Sequence, residues 1–286
     1  MAAKVKTVIS ASRRTDLPHC HYPWLQACLA RGEARVANPR FPETSYRVDL
    51  SPDNVHSIVL WSKDFANVLK APGRLADYNL YFHYTINNYS PSLEPGVPAY
   101  EDSLRTLDGL LARYRPAQFT IRFDPVIISS GGELSPTPAK PGRARLAAFA
   151  RLCRDLAALG LCAGRLATSY VVLYPHVARR LAAAGGLGLV PLTGDHLRLF
   201  FQRLAETAGE HGLSLYACAA PALAGIPGLA AGRCVDGPLL EELFGGRVSR
   251  AADNGQRQAC GCTASRDIGG YGQQCNCGCL YCYARK

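Results

Sequence analysis

Residues 275–282 read Cys-Asn-Cys-Gly-Cys-Leu-Tyr-Cys, and within them Cys275, Cys279 and Cys282 are spaced C-x3-C-x2-C. Three thiolates on one tight loop can hold three irons of a cubane [4Fe-4S] cluster and leave the fourth iron open to an external ligand, whereas a closed electron carrier takes four protein cysteines. Gly278, between the ligands, lets such a loop wrap the cluster. Six of the chain's twelve cysteines, Cys260, Cys262, Cys275, Cys277, Cys279 and Cys282, fall in the last 27 residues. The opening Met-Ala-Ala-Lys-Val-Lys has no signal-peptide hydrophobic region behind it, so a reducing cytoplasm is expected. There, such density argues for metal or catalysis and against a disulfide framework. Cys20, Cys28, Cys153 and Cys162 have no ligand spacing, and Cys28 and Cys153 lie on apolar helical stripes and read as core.

A zinc site is the competing chemistry. The loop lacks the paired C-x2-C halves usual for zinc, but borrowing Cys260 or Cys262 would complete four ligands. That alternative is a zinc-binding or closed-cluster electron-transfer module without cofactor cleavage, and its net basic charge would suit nucleic acid. The 286 residues carry a formal charge of +10, with no compact Lys/Arg run. Hydrophobic residues make up 48% and charged ones 19%, which predicts a folded body. No apolar run reaches the roughly 18 residues needed to cross a bilayer, so no membrane partner is expected.

Positioning these residues requires a scaffold, and the chain alternates between strand and helix patterns. Strands are predicted over 5–11, 55–61, 80–86, 119–126, 166–174 and 213–217. Helices are predicted over 22–31, 103–114, 144–159 and 196–212, with a short one over 239–244. Alternation of this kind implies a parallel sheet with right-handed crossovers. Six or more units without a Gly-rich dinucleotide fingerprint predict an α/β fold of the (β/α) barrel type, full or partial, with an open doubly wound sheet as the alternative. The body spans 1–218. An irregular cysteine-rich segment, 219–286, is expected at the barrel mouth, ordered by packing or by metal. The strand carboxyl ends are polar, and Arg13, Arg14, Asp16, Lys63, Arg122 and Asp124 are the candidates for orienting a substrate. Arginine forks suit carboxylate or phosphate, so an anionic substrate is predicted.

The terminal loop resembles the cluster motif of the radical S-adenosylmethionine (SAM) superfamily, which prefers an aromatic residue just before the third cysteine; Tyr281 fills that place. The resemblance implies a [4Fe-4S] cluster on Cys275, Cys279 and Cys282, SAM on the open iron, and Tyr281 beside the adenine. It also implies an electron donor such as flavodoxin or ferredoxin, and a small-molecule or nucleic-acid substrate. The superfamily's loop normally follows the first strand; here it is C-terminal. Gly131–Glu133 resembles the superfamily's contact to the SAM amino group, although a plain loop also explains it. Nearly the whole chain is similar to a bacterial family of unknown function with a C-terminal radical-SAM-like cluster. The similarity rests on residues 10–16, Asn38-Pro39, Trp61 with Lys63, Arg122 with Asp124-Pro125, Cys234 with Asp236, Cys260-Gly-Cys262, Ser265, Asp267-Ile268-Gly269, Tyr271 and the terminal loop. Cys277 stands where a histidine or similar residue is expected and is not assigned as a ligand. Cys218, Cys234, Cys260 and Cys262 fall on positions resembling family cysteines. Four thiolates there would close either a second, auxiliary Fe-S cluster or a zinc site.

Overall fold

The computed structural model describes residues 4–39, 41, 43–128, 142–184, 189–253 and 256–285. Gly131–Glu133 therefore lies outside the described residues. Among the described residues, eleven strands and eight α-helices follow one another. β1 (Val5–Ala11) leads through α1 (Leu17–Cys20) and α2 (Tyr22–Arg31) to a two-stranded antiparallel hairpin, β2 (Glu33–Ala37) and β3 (Ser45–Asp49). Then come β4 (Val55–Ser62), α3 (Ala66–Lys70), β5 (Leu80–Thr85), α4 (Tyr100–Leu111), β6 (Phe119–Val126), α5 (Arg143–Ala158) and β7 (Arg165–Tyr170). The chain ends with α6 (Pro175–Ala183), α7 (Gly194–Glu210), β8 (Ser214–Ala217), β9 (Leu229–Ala231), α8 (Gly237–Phe244), β10 (Arg247–Val248) and β11 (Arg266–Asp267).

The central sheet has nine strands in the order β10-β1-β4-β5-β6-β7-β8-β9, and β11 also pairs with β1. Every pairing within it is parallel. The strands that read as near-continuous apolar runs sit in its middle, as a parallel sheet covered on both faces requires.

The expected (β/α) barrel is not what forms. The sheet is open: among the described residues no ladder joins β9 to β10, and the chain does not close into a ring. The reason lies in what fills the inner face. Residues paired across parallel strands share a face, and Val59↔Tyr81, Trp61↔His83, His83↔Thr120 and Ala167↔Tyr216 mark one of them. A barrel of about eight strands has room inside only for its own side chains. Here Val8, Val59 and Tyr81 pack instead against Val235, Leu240, Val248 and Cys262, so α8 and the C-terminal segment occupy that face. The opposite face carries Ile58, Leu60, Phe82, Ile121 and Leu166, which join the main core with Leu25, Leu107, Phe149, Leu152, Phe201 and Leu204 from α2, α4, α5 and α7. None of the helices is long and apolar enough to cross a membrane among the described residues.

Candidate functional site

The carboxyl ends of β1, β4, β5 and β6 converge on the terminal cysteine loop. Asp16, the N-cap of α1, accepts hydrogen bonds from the His19 amide (3.0 Å), Ser62 Oγ (2.7 Å) and the Lys63 amide (2.9 Å). It ties β1 to the end of β4. Burial pushes its carboxyl up to about 6 against those bonds. Lys63 reaches past the loop to Glu94, Nζ to Oε1 at 2.7 Å, and its ammonium lies 5.5 Å from the Tyr281 ring. Burial works to lower the lysine's pKa, but Glu94 and Cys279 outweigh it and hold it above the usual value. Glu94 Oε1 also accepts from Tyr281 Oη and from Asn87 Nδ2 (3.0 Å). Asn87 in turn donates to Tyr281 Oη (3.0 Å) and to the Asp124 carbonyl (3.0 Å). The fully buried Arg145 guanidinium lies over the rings of Tyr89 (4.0 Å) and Phe123 (3.9 Å), and Tyr89 packs against Tyr281 at 5.8 Å. Tyr281 is thus held by a buried polar network and by aromatic contact.

The loop itself is pinned by backbone bonds. Gly96 N–H donates to Cys277 O (2.9 Å) and Leu280 N–H to Leu93 O (3.0 Å). Gly278 sits at φ +65°, a conformation that side chains rarely adopt. From the other side, α6 contributes Arg180, whose Nε donates to Leu280 O (3.1 Å) and whose Nη2 donates to Cys282 O. Val177 and Leu181 of α6 share an apolar cluster with Cys277, Cys279 and Tyr281.

Three of the thiols are close. Cys20 Sγ, at the end of α1, is 3.8 Å from Cys275 Sγ, and a His19 ring nitrogen, Cys20 Sγ and Cys277 Sγ all lie within 4.8 Å of one another. The Asn276 amide donates to Cys20 Sγ (3.2 Å). Hydrogen bonds from Cys275, Cys277 and that amide pull the Cys20 thiol down to about 4. His19 Nδ1 faces Asp64 Oδ2 at 3.0 Å. Cys279 is buried next to Lys63, with Cys282 and Cys275 as further neighbours, and burial pushes its thiol up to about 12. The sequence pattern left Cys20 and Cys277 out of the donor set. No local spacing could have placed Cys20, which is 255 residues from Cys275.

A second group forms on the inner face of the sheet. Sγ atoms of Cys218, Cys234 and Cys262 lie within 4.8 Å of one another, and the Cys260 thiol interacts with those of Cys262 and Cys218. The amides of Cys234 and Val235 donate to Cys262 Sγ at 3.2 and 3.4 Å. The Cys218 and Cys234 thiols, with the Val235 amide, draw the Cys262 pKa down. Arg122 Nη1 approaches Cys234 Sγ at 3.7 Å, and its guanidinium lies 5.3 Å from the Trp61 ring, which stacks on His83 at 4.1 Å. His83 Nε2 donates to Cys234 O at 2.6 Å; burial, with Arg122 adding to it, lowers its pKa to about 3, so the ring is neutral.

The polar residues singled out as substrate contacts are mostly engaged within the chain. Arg13 bonds Asp253 (2.7 Å) and Ser265 (3.0 Å), and its Nε lies 3.6 Å from Asp267. Asp267 accepts in addition from Ser10, Ser12 and the amides of Arg13 and Gly269, which docks β11 onto β1. Arg122 pairs with Asp124, which also accepts from Ser169 Oγ. Arg14 differs: it donates to the Gly269 carbonyl (3.1 Å) and lies over Tyr271 at 5.9 Å, and no carboxylate faces it among the described residues. Glu94, His19 and Arg145 were not legible as site residues, since a buried Glu in a Pro/Ser-rich loop has no sequence signature.

A family model described as a domain of unknown function (DUF1848) matches residues 8–284. No curated protein and no solved structure matches the chain.

Proposed function

We propose that this chain, which belongs to the DUF1848 family of domains of unknown function, is an iron–sulfur enzyme of the radical SAM kind, acting on an anionic substrate. The observation that carries the reading is the terminal loop at the carboxyl edge of the parallel sheet. There Cys279 is buried against Lys63, Cys275 and Cys282 are its neighbours, and Tyr281 is fixed beside them. The donor chemistry fits the group, because a buried thiol beside a cation, with two half-buried thiols on the same loop, suits an anionic thiolate-bound centre. Cys275, Cys279 and Cys282 would hold a [4Fe-4S] cluster. Bound there and reduced by a flavodoxin or ferredoxin, the cluster would supply the electron that cleaves SAM into methionine and a 5′-deoxyadenosyl radical.

This chain's own residues do the rest. Glu94 and Asn87 hold Tyr281 in place by its hydroxyl. Lys63 sets a positive charge against Cys279. Arg14, with no carboxylate partner among the described residues, is the fork left to take an anionic group on the substrate. The test is iron content and SAM turnover in protein purified without oxygen and reduced. About four irons per chain and release of 5′-deoxyadenosine are expected. Cys279→Ala should abolish both, and Cys28→Ala, a core thiol, neither. A fully iron-loaded protein that releases no 5′-deoxyadenosine overturns the reading.

One observation favours a second reading at this loop. His19, Cys20 and Cys277 form a compact donor set, and Cys275 lies 3.8 Å from Cys20, so these residues could supply three thiols and one imidazole to a single zinc. Colour and iron content separate the two readings, since a zinc protein is colourless.

A further inference from the structure

Cys218 follows β8, Cys234 follows β9, and Cys260 and Cys262 flank Gly261 on the segment that leads to β11. We propose that these four cysteines hold one zinc ion in a closed structural site that fastens the C-terminal segment to the inner face of the open sheet. This goes beyond the reading of the terminal loop and does not rest on it.

The sulfur spacing argues for one metal. Thiolates arranged tetrahedrally at about 2.3 Å from a zinc stand about 3.8 Å apart, the bond length times roughly 1.63. In a cubane each thiolate sits on its own iron and points away from a different corner, so the sulfurs are spread wider than two bonds to a shared atom permit. The Sγ atoms of Cys218, Cys234 and Cys262, all within 4.8 Å of one another, match the compact arrangement. Four cysteines leave no open coordination position, which is the structural form of a zinc site.

The surroundings suit the charge that results. Four thiols lose their protons to solvent on binding, and four thiolates on a divalent ion leave a net charge of −2. Two backbone amides already point at Cys262 Sγ, and the Arg122 guanidinium points at Cys234 Sγ. Arg233 lies against Gly261, where an added Cβ would come within 3.3 Å of its side chain. His83 holds the carbonyl of Cys234 and so fixes the backbone that presents that ligand. Contacts of this sort orient metal ligands and balance their charge. The benefit to the fold is specific: the inner face is covered by a segment with little regular structure, and a metal joins its two halves to β8.

The experiment measures metals in the full chain expressed with zinc supplied and purified without oxygen. About one zinc per chain is expected in the wild type and in Cys275→Ala, with near-total loss in Cys234→Ser and Cys262→Ser. X-ray absorption at the zinc edge of Cys275→Ala, which lacks the terminal-loop donor set, is expected to give four sulfurs at about 2.3 Å and no nitrogen. Zinc retained in full by Cys262→Ser, a mixed sulfur–nitrogen shell, or iron in place of zinc in Cys275→Ala overturns the proposal. If Cys262→Ser does not fold, the absorption spectrum and the zinc content of Cys275→Ala decide the matter alone. Loss of SAM turnover with this zinc retained would count against the terminal-loop reading only.

Discussion

Substituting Glu94→Gln strands a buried cation, and the cost follows from the geometry around it. Lys63 Nζ sits 2.7 Å from Glu94 Oε1, with the lysine side chain 14% and the glutamate side chain 3% exposed. The glutamine carbonyl still accepts from Asn87 and Tyr281, so the change removes charge with little loss of hydrogen bonding. Removing one partner of a buried pair costs about 3–5 kcal/mol. Unfolding entropy of about 2.1 cal/mol/K per residue near 60 °C gives, for 286 residues, about 0.6 kcal/mol/K. The expected fall in unfolding midpoint is therefore roughly 5–8 °C. Thermal unfolding at pH 7 in reducing buffer reads it directly. The companion Lys63→Met/Glu94→Gln removes the cation as well and should recover at least half the loss, because the glutamine keeps its hydrogen bonds from Asn87 and Tyr281 and no buried charge is left unpaired. A loss under about 1 kcal/mol in Glu94→Gln, or a double variant no better than the single one, refutes the claim that this ion pair is buried and coupled.

Three further outcomes follow from the same geometry. Gly96→Ala places a Cβ 3.0 Å from Cys277 Cα and closer still to the Asn276 carbonyl, so the cysteine loop must shift; about 1–3 kcal/mol is lost and metal content per chain falls with it. His83 is held neutral at a pKa near 3 against 6.5 in the unfolded chain, so only the unfolded state gains its proton on acidification. Stability from this group is present above pH 6.5 and falls by about 2 kcal/mol between pH 7 and 5, and denaturant titrations should find that part of the slope missing in His83→Phe. Arg13→Ala leaves Asp253 without its guanidinium and should cost about 1–3 kcal/mol, whereas Arg14→Ala, which loses one carbonyl contact, should stay within about 1 kcal/mol while weakening an anionic ligand. Equal destabilisation by the two, in parallel chemical denaturation, would remove Arg14 from the binding role.

Local periodicity carried much of the secondary structure. β1 over Val5–Ala11, α2 over Tyr22–Arg31 and β6 over Phe119–Val126 coincide with the patterns that predict them, because each buries a face that its own sequence marks. The β2–β3 hairpin and α6 escaped: Glu-Ala-Arg-Val-Ala and Ser-Tyr-Arg-Val-Asp mix charge into short strands, and α6 begins at Pro175, directly after the stretch 166–174 that reads as a strand but leaves the sheet at Tyr170. Parallel order was legible from alternation; closure was not, since the same alternation serves an open sheet and a ring. That choice was made by α8 and the 234–262 segment, which take the inner face.

The cysteine chemistry divides the same way. Sequence alone determines that eight residues carry four thiols, three of them at C-x3-C-x2-C spacing, because neighbours along one short loop are neighbours in space. It says nothing of Cys20 beside Cys275, of Glu94 beneath Tyr281, or of how close Cys218, Cys234 and Cys262 approach. Those contacts join residues from 16 to 255 positions apart. They exist only because parallel strands bring their carboxyl ends to one edge and the last segment folds back across the sheet.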